Sequence, residues 1–150
     1  MQDEISREEY LQINQALFSL VNAYDKRNLQ ETKDEKDPLS VSERGVLLVL
    51  GQKQPINQRQ LAELMQLSPG PVSQYVQRLV VKGFIHKEQD QQDRRNWWLY
   101  LTPEGENMYR YTVDGAVQYT RDLLSSLSED EQHQLQEYLT RIAKKLGYDW

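Results

Sequence analysis

The sequence predicts a mainly α chain of the α+β class, with long apolar-striped helices towards both ends and a central segment where short helices give way to a β-hairpin. Three observations carry this. Apolar residues recur at three- and four-residue steps over residues 6–29 and again over 103–146. Two short helical patterns over 57–82 are separated by very few residues. After Gly83 the pattern changes to stretches rich in β-branched and aromatic residues. At 150 residues, with 38% hydrophobic and 27% charged content, one domain over 1–150 with a real core is the expectation.

The first helix is expected from Ser6 to about Leu29, with Tyr10, Ile13, Leu17, Leu20, Val21 and Tyr24 along one stripe. QETKDEKDP, ending in Pro38, has no periodicity and reads as a polar loop. Ser40 and Glu43 form a capping box for a helix through Val46, Leu47, Val49 and Leu50, closed by Gly51. Lys53 to Ile56 contains Pro55, so as a strand it fits only a sheet edge. Asn57, with Gln60 three residues on, caps the next helix, whose inner face is Leu61, Ala62, Leu64 and Met65.

Only Gln66 and Leu67 precede the next cap, Ser68, with Pro69 at the first helical position and Pro71 still in the first turn. At 100° per residue, Val72, Tyr75, Val76, Leu79 and Val80 fall on one side of this helix. Gly70, Ser73, Gln74, Gln77 and Arg78 fall on the other. Alone, that is also how an ordinary amphipathic surface helix reads. Two short helices joined so tightly form a helix-turn-helix, 57–82, in which the second helix enters the major groove. Gln and Ser on its outer side suit base edges.

Phe84 to Glu88 and Trp97 to Leu101, linked by QDQQDRRN, read as a β-hairpin with a flexible tip. Placed directly after a recognition helix, this hairpin (84–101) is a wing. Arg94 and Arg95, beside Asp93 at its tip, suit a narrow minor groove. Thr102 and Pro103 open the last helix pair. Met108, Thr112, Ala116, Tyr119, Leu123 and Leu127 stripe its first member. A capping box of Ser128 and Glu131 opens the second, striped by Leu135, Tyr138, Leu139, Ile142 and Leu146. A winged helix of about 60 residues needs little of this apolar area. Residues 1–30 and 103–148 are therefore expected to interlock as dimerisation helices around a DNA-binding lobe at 40–102.

Composition narrows the function. There is no Cys, so disulfides, thiolate metal sites and cysteine redox sensing are excluded. His86 and His133 lie far apart without ligand spacing, so no metal site and no cofactor is expected. No Gly-rich phosphate loop, zinc motif or nucleophile elbow appears, so no enzyme is expected. Trp97, Trp98, Tyr109 and Tyr111 could line a pocket, but packing is the commoner use of such residues. MQDEISREEY is acidic and lacks an apolar core, unlike a signal peptide, and the longest apolar run is Val46 to Leu50. A cytoplasmic protein without membrane contact is the expectation. Net charge is −5, unevenly spread. Residues 57–102 hold six Lys/Arg against four Asp/Glu, or +2, and the remainder twelve against nineteen, or −7. That places a weakly basic face on an acidic body.

From Asn57 onward the sequence resembles the MarR family of winged-helix regulators. Its wing pattern reads DRRNWWLYLTPEG here, with Asp93, Arg95, Asn96, Leu101, Thr102 and Gly105 at the family's spacing. NQRQLAELMQLSPGPVSQYVQRLVVKGFIHK resembles its helix pair and first wing strand. The resemblance implies a dimeric DNA-binding regulator, usually a repressor, on a pseudopalindromic operator. It also implies release by a small, often aromatic or phenolic effector, whose binding residues are not assigned. It places base reading on Gly70, Pro71, Ser73 and Gln74, beside Ser68, Gln77 and Arg78 on the same side. It places the minor-groove arginine at Arg95, with Arg94 as the other choice, oriented by Asp93 through a charge-assisted bond. Pro69, Gly70 and Pro71 stand where the family usually carries Arg, Ser or Thr, which implies a different operator sequence. The alternative function is a winged-helix module for protein contacts without an operator.

Overall fold

A computed structural model describes residues 4–31 and 39–149 of the chain. Among the described residues, six helices and three short strands follow one another: α1 (Arg7–Glu31), α2 (Val41–Lys53), β1 (Ile56–Asn57), α3 (Gln58–Met65), α4 (Pro69–Val81), β2 (Ile85–Gln89), β3 (Trp97–Leu101), α5 (Pro103–Leu123) and α6 (Glu129–Lys145). Beyond Glu31, the polar loop expected over 30–38 lies outside the described residues. The chain forms two compact units, Met1–Val41 and Ser42–Trp150.

In the first unit, α1 opens with a reciprocal cap. The Ser6 amide and hydroxyl donate to Glu9 Oε2 at 2.8 and 2.7 Å, and the Glu9 amide donates to Ser6 Oγ at 3.2 Å. The Ser6 hydroxyl, then the Ser6 amide, hold the Glu9 carboxyl below its ordinary value. The apolar stripe of α1, from Tyr10 through Leu17 and Phe18 to Val21, is exposed.

In the second unit the sheet is antiparallel in the order β1-β3-β2, with Ile56 opposite Leu99 and Ile85 opposite Leu101. Alternation along β3 turns Leu99 and Leu101 into the core and leaves Trp98 and Tyr100 on the outer face. There the rings of Tyr100 and His86 stack at 5.0 Å. Leu47, Leu50, Leu61, Leu79 and Leu99 are fully buried, and each contributes about 1.5–3 kcal/mol relative to exposure. Val46, Val49, Val72, Val76 and Ile85 are buried with them, so α2, α3, α4 and the inner sheet face share the core. The edge strand lies slightly later than Lys53 to Ile56. The Leu101 amide lies beyond the start of β1, and the Gln54 side chain accepts from it at 2.9 Å. The same side chain donates to Glu106 at 2.7 Å.

Gly51 does not close α2, which runs on to Lys53. Its role is spatial: a Cβ there would strike the ring of Tyr109. The α5 stripe also ends sooner than expected, since Leu127 lies beyond the helix. Thr102 caps α5, its hydroxyl accepting from the Gly105 amide at 3.0 Å and donating to the Gly83 carbonyl at 2.5 Å. The capping box of Ser128 and Glu131 forms at the start of α6.

Candidate nucleic-acid interface

The helix pair is built from local signals. Asn57 Oδ1 accepts from the Gln60 amide at 2.8 Å while Gln60 Oε1 accepts from the Asn57 amide at 3.0 Å, closing the box that starts α3. The turn passes through Gln66 in the left-handed region, φ 52°, and the Leu67 amide donates back to the Ala62 carbonyl at 3.0 Å. The Gln66 side chain donates to the Leu146 carbonyl at 3.1 Å, tying the turn to the end of α6. Gly147, at φ +88°, leaves room for that amide.

Ser68 stands at the N-cap of α4 in an extended conformation, yet its side chain makes no capping bond. The cap expected there has one of its two usual donors removed, which leaves the Gly70 amide, and no bond to that amide forms. Side-chain caps take an N–H of the second or third helical residue. The third is Pro71, which has none. Val72, Val76 and Leu79 are buried beneath α4, and Tyr75 and Val80 are half-buried at the margins. Ser68, Gly70, Pro71, Ser73, Gln74, Gln77 and Arg78 are all exposed. One exposed helix side therefore carries every residue assigned to it from periodicity. Gly83, at φ +81°, ends the segment.

One partner of this helix carried no signal in the sequence. Glu43, on the first turn of α2, is only 2% exposed, and its Oε2 accepts from Lys82 Nζ at 2.7 Å. Its Oε1 lies 3.4 Å from Arg78 Nε, whose side chain is 53% exposed. The Arg78 guanidinium also stands 5.3 Å from the centre of the Tyr75 ring.

The wing tip is not loose. Asp90 organises it: Oδ1 accepts from the amides of Gln92 at 2.8 Å and Asp93 at 3.2 Å, and Oδ2 from the Trp98 indole at 2.8 Å. The Gln92 amide, then the Trp98 indole and the Asp93 amide, hold the Asp90 carboxyl below the ordinary aspartate value. The Gln89 side chain donates to the Arg94 carbonyl at 2.7 Å. Asp93 meets Arg95 through the main chain, accepting from its amide at 3.0 Å. No ion pair joins Asp93 to either arginine among the described residues, so its support reaches the backbone and not the guanidinium. Arg94 and Arg95 are both exposed. Just behind the tip, Lys87 Nζ stands 5.8 Å from the centre of the partly exposed Trp97 ring.

Of the other aromatics, Tyr109 packs on Gly51 and Tyr111 is exposed. An open groove of about 300 Å³ lies along α5 and α6, lined by Ala116, Val117, Thr120, Arg121, Leu124 and Gln132. No helix among the described residues is long and apolar enough to cross a membrane, and no group of three metal-ligating side chains converges among them.

A tight helix pair, a second helix buried along one side and a hairpin directly behind it make up a winged helix-turn-helix unit. Residues 39–97 match the sequence model of the MarR family. The chain is similar to the HTH-type transcriptional regulator BilQ of Clostridium symbiosum, 28% identical over 110 residues, covering 73% of this chain and 76% of BilQ. It is similar to the HTH-type transcriptional regulator YhjH of Bacillus subtilis, 28% identical over 108 residues, covering 70% of this chain and 62% of YhjH. In fold it matches FabT of Streptococcus pneumoniae, solved in complex with DNA, with a TM-score of 0.80 and 23% identity over 92% of this chain and 97% of that one.

Proposed function

We propose that the chain is a sequence-specific DNA-binding transcriptional regulator acting as a homodimer on a pseudopalindromic operator, as a repressor released by a small aromatic or phenolic effector. The observation that carries this is the pairing of two exposed surfaces of different chemistry. The outer side of α4 is polar and nearly uncharged, with Ser68, Ser73, Gln74 and Gln77 exposed. The adjoining wing holds two exposed arginines on a hydrogen-bonded tip. Amides and hydroxyls discriminate base edges, and arginines supply phosphate and minor-groove attraction. In this reading Ser68, Gly70, Pro71, Ser73, Gln74, Gln77 and Arg78 face the major groove, and Arg94 and Arg95 the minor groove. Residues 40–102 form the DNA-binding lobe. The terminal helices hold the dimer, because Leu17, Phe18, Val21, Leu139 and Ile142 are left exposed in one copy. The groove beside Arg121 has apolar walls and one cation, which suits a small aromatic acid or phenol.

A mobility shift on the promoter beside its own gene tests the proposal. A discrete complex that resists excess random duplex is expected, and it should dissociate on addition of a binding phenol or aromatic acid. No shift on either duplex would leave a winged helix used for protein contacts, a reading that the net charge of −5 favours.

A further inference from the structure

We infer that Glu43 is a specificity-determining positioning residue: from beneath the recognition helix it fixes Arg78 and Lys82, so that the last turn of α4 presents an aimed cation instead of two mobile ones. This rests on the reading of α4 as the DNA-contacting helix. Arg78 on α4 and Lys82, the residue that caps its C-terminus, are one turn apart, and the same buried carboxylate meets Nε of the first at 3.4 Å and Nζ of the second at 2.7 Å. A carboxylate 2% exposed is held in place by the packing of α2, whose neighbouring Val46 and Leu47 are fully buried. The anchor is therefore rigid, whereas its two cations reach towards solvent, with 53% and 32% of their side chains exposed.

The geometry divides the work within Arg78. Its Nε is turned to Glu43, and its guanidinium also stands 5.3 Å from the Tyr75 ring centre. Contacts at Nε and over one face still leave the terminal nitrogens as donors, the pair that forms a bidentate fork to a base edge or a phosphate. Fixing the side chain before DNA arrives removes part of the ordering cost at binding and favours the sequence that meets the fork in that place. Glu43 also cancels one of the two positive charges, which lowers attraction for DNA of any sequence. Both effects act in the same direction, raising discrimination while lowering indiscriminate affinity.

The test uses the full chain and two duplexes: one enriched from a random pool by the unaltered protein, and one random duplex of equal length. Binding is measured over a salt series, with thermal unfolding of each variant alongside. For Glu43→Gln the preference for the enriched duplex should fall by about tenfold, the scale of one lost bidentate contact. Affinity for the random duplex should rise, and its salt slope should steepen by about one unit. A folded Glu43→Gln variant with unchanged preference and salt slope overturns the inference and leaves Glu43 a core ion-pair partner only. Arg78→Lys keeps the charge and loses the planar fork. It should lose a similar share of the preference with the salt slope unchanged, and it answers the question if Glu43→Gln does not fold. Unchanged preference in Arg78→Lys overturns the inference. If the unaltered protein enriches no duplex at all, the proposed function fails first, and this inference with it.

Discussion

Gln74 and the wing arginines are asked to do different things, and single substitutions separate them. Gln74 stands exposed on α4, where an amide can read adenine through two hydrogen bonds. Gln74→Ala should cost about 1–3 kcal/mol on the preferred operator and little on random DNA. Arg94→Ala or Arg95→Ala should weaken binding to every sequence and flatten the salt dependence by about one unit per lost phosphate contact. Titrations at several salt concentrations check both, and an unchanged slope for both arginine variants would remove the wing from the interface. Asp90 carries a pH signature. Its folded carboxyl titrates lower than an ordinary aspartate, because the Gln92 amide, the Trp98 indole and the Asp93 amide favour the charged form. Its contribution to the tip is therefore whole above the ordinary aspartate value and fades as pH falls through the lower folded value. Asp90→Asn should lower the melting temperature at neutral pH, with the gap to the unaltered protein closing in acid. A gap constant across pH would show that the charge is not what holds the tip.

Elements were legible where a local rule decides them. The boxes at Asn57 and Ser128, the cap at Thr102 and the change of period after Gly83 place α3, α5, α6 and the hairpin from sequence, because each rests on residues within a few positions of one another. What stayed hidden depends on partners distant in the chain. Gly51 looks like a helix stop until Tyr109 is seen against it. Glu43 reads from sequence only as a capping residue, and that its carboxylate also meets Lys82, 39 residues away, depends on the fold. The order of the tip was missed for a different reason: Asp, Gln and Arg are loop residues by composition, and only the convergence of three donors on Asp90 shows the loop to be tied down. The spacing from Thr102 to Gly105 also has a physical basis in this fold. A Cβ at Gly105 would run into the Phe84 carbonyl oxygen, where α5 approaches the start of the wing. Gly105→Ala should cost about 1–3 kcal/mol through overpacking against backbone that cannot turn aside. Gly70→Ala, with nothing within 4 Å of the new atom, should stay within about 0.5 kcal/mol of the parent. Denaturant unfolding of the two variants compares them, and equal losses would refute the close approach as the reason for Gly105.

At the scale of the molecule, exposed apolar surface and uneven charge matter most. Tyr10, Leu17 and Phe18 of α1, and Tyr138, Leu139 and Ile142 of α6, are all exposed in one chain. Full-length protein at micromolar concentration should sediment as a dimer, and a clean monomer near 17.8 kDa would sink the assembly. Two recognition helices related by a two-fold axis should protect half-sites about one helical turn, roughly 10 bp, apart. A footprint on a single asymmetric half-site would contradict that arrangement.

The bond from Trp98 to Asp90 has a practical consequence. Two of the three tryptophans in the chain are consecutive on β3, one with its indole donating to the tip carboxylate and the other partly exposed beside Lys87. Indole emission responds to its hydrogen bonding and to water, so the wing carries its own fluorophores. In a Trp150→Phe background, the emission of Trp97 and Trp98 should change in step with operator binding and give occupancy without any attached dye. Asp90→Asn should shift the unbound baseline, and comparing the two traces would show whether the wing is already set before DNA arrives or is reshaped by it.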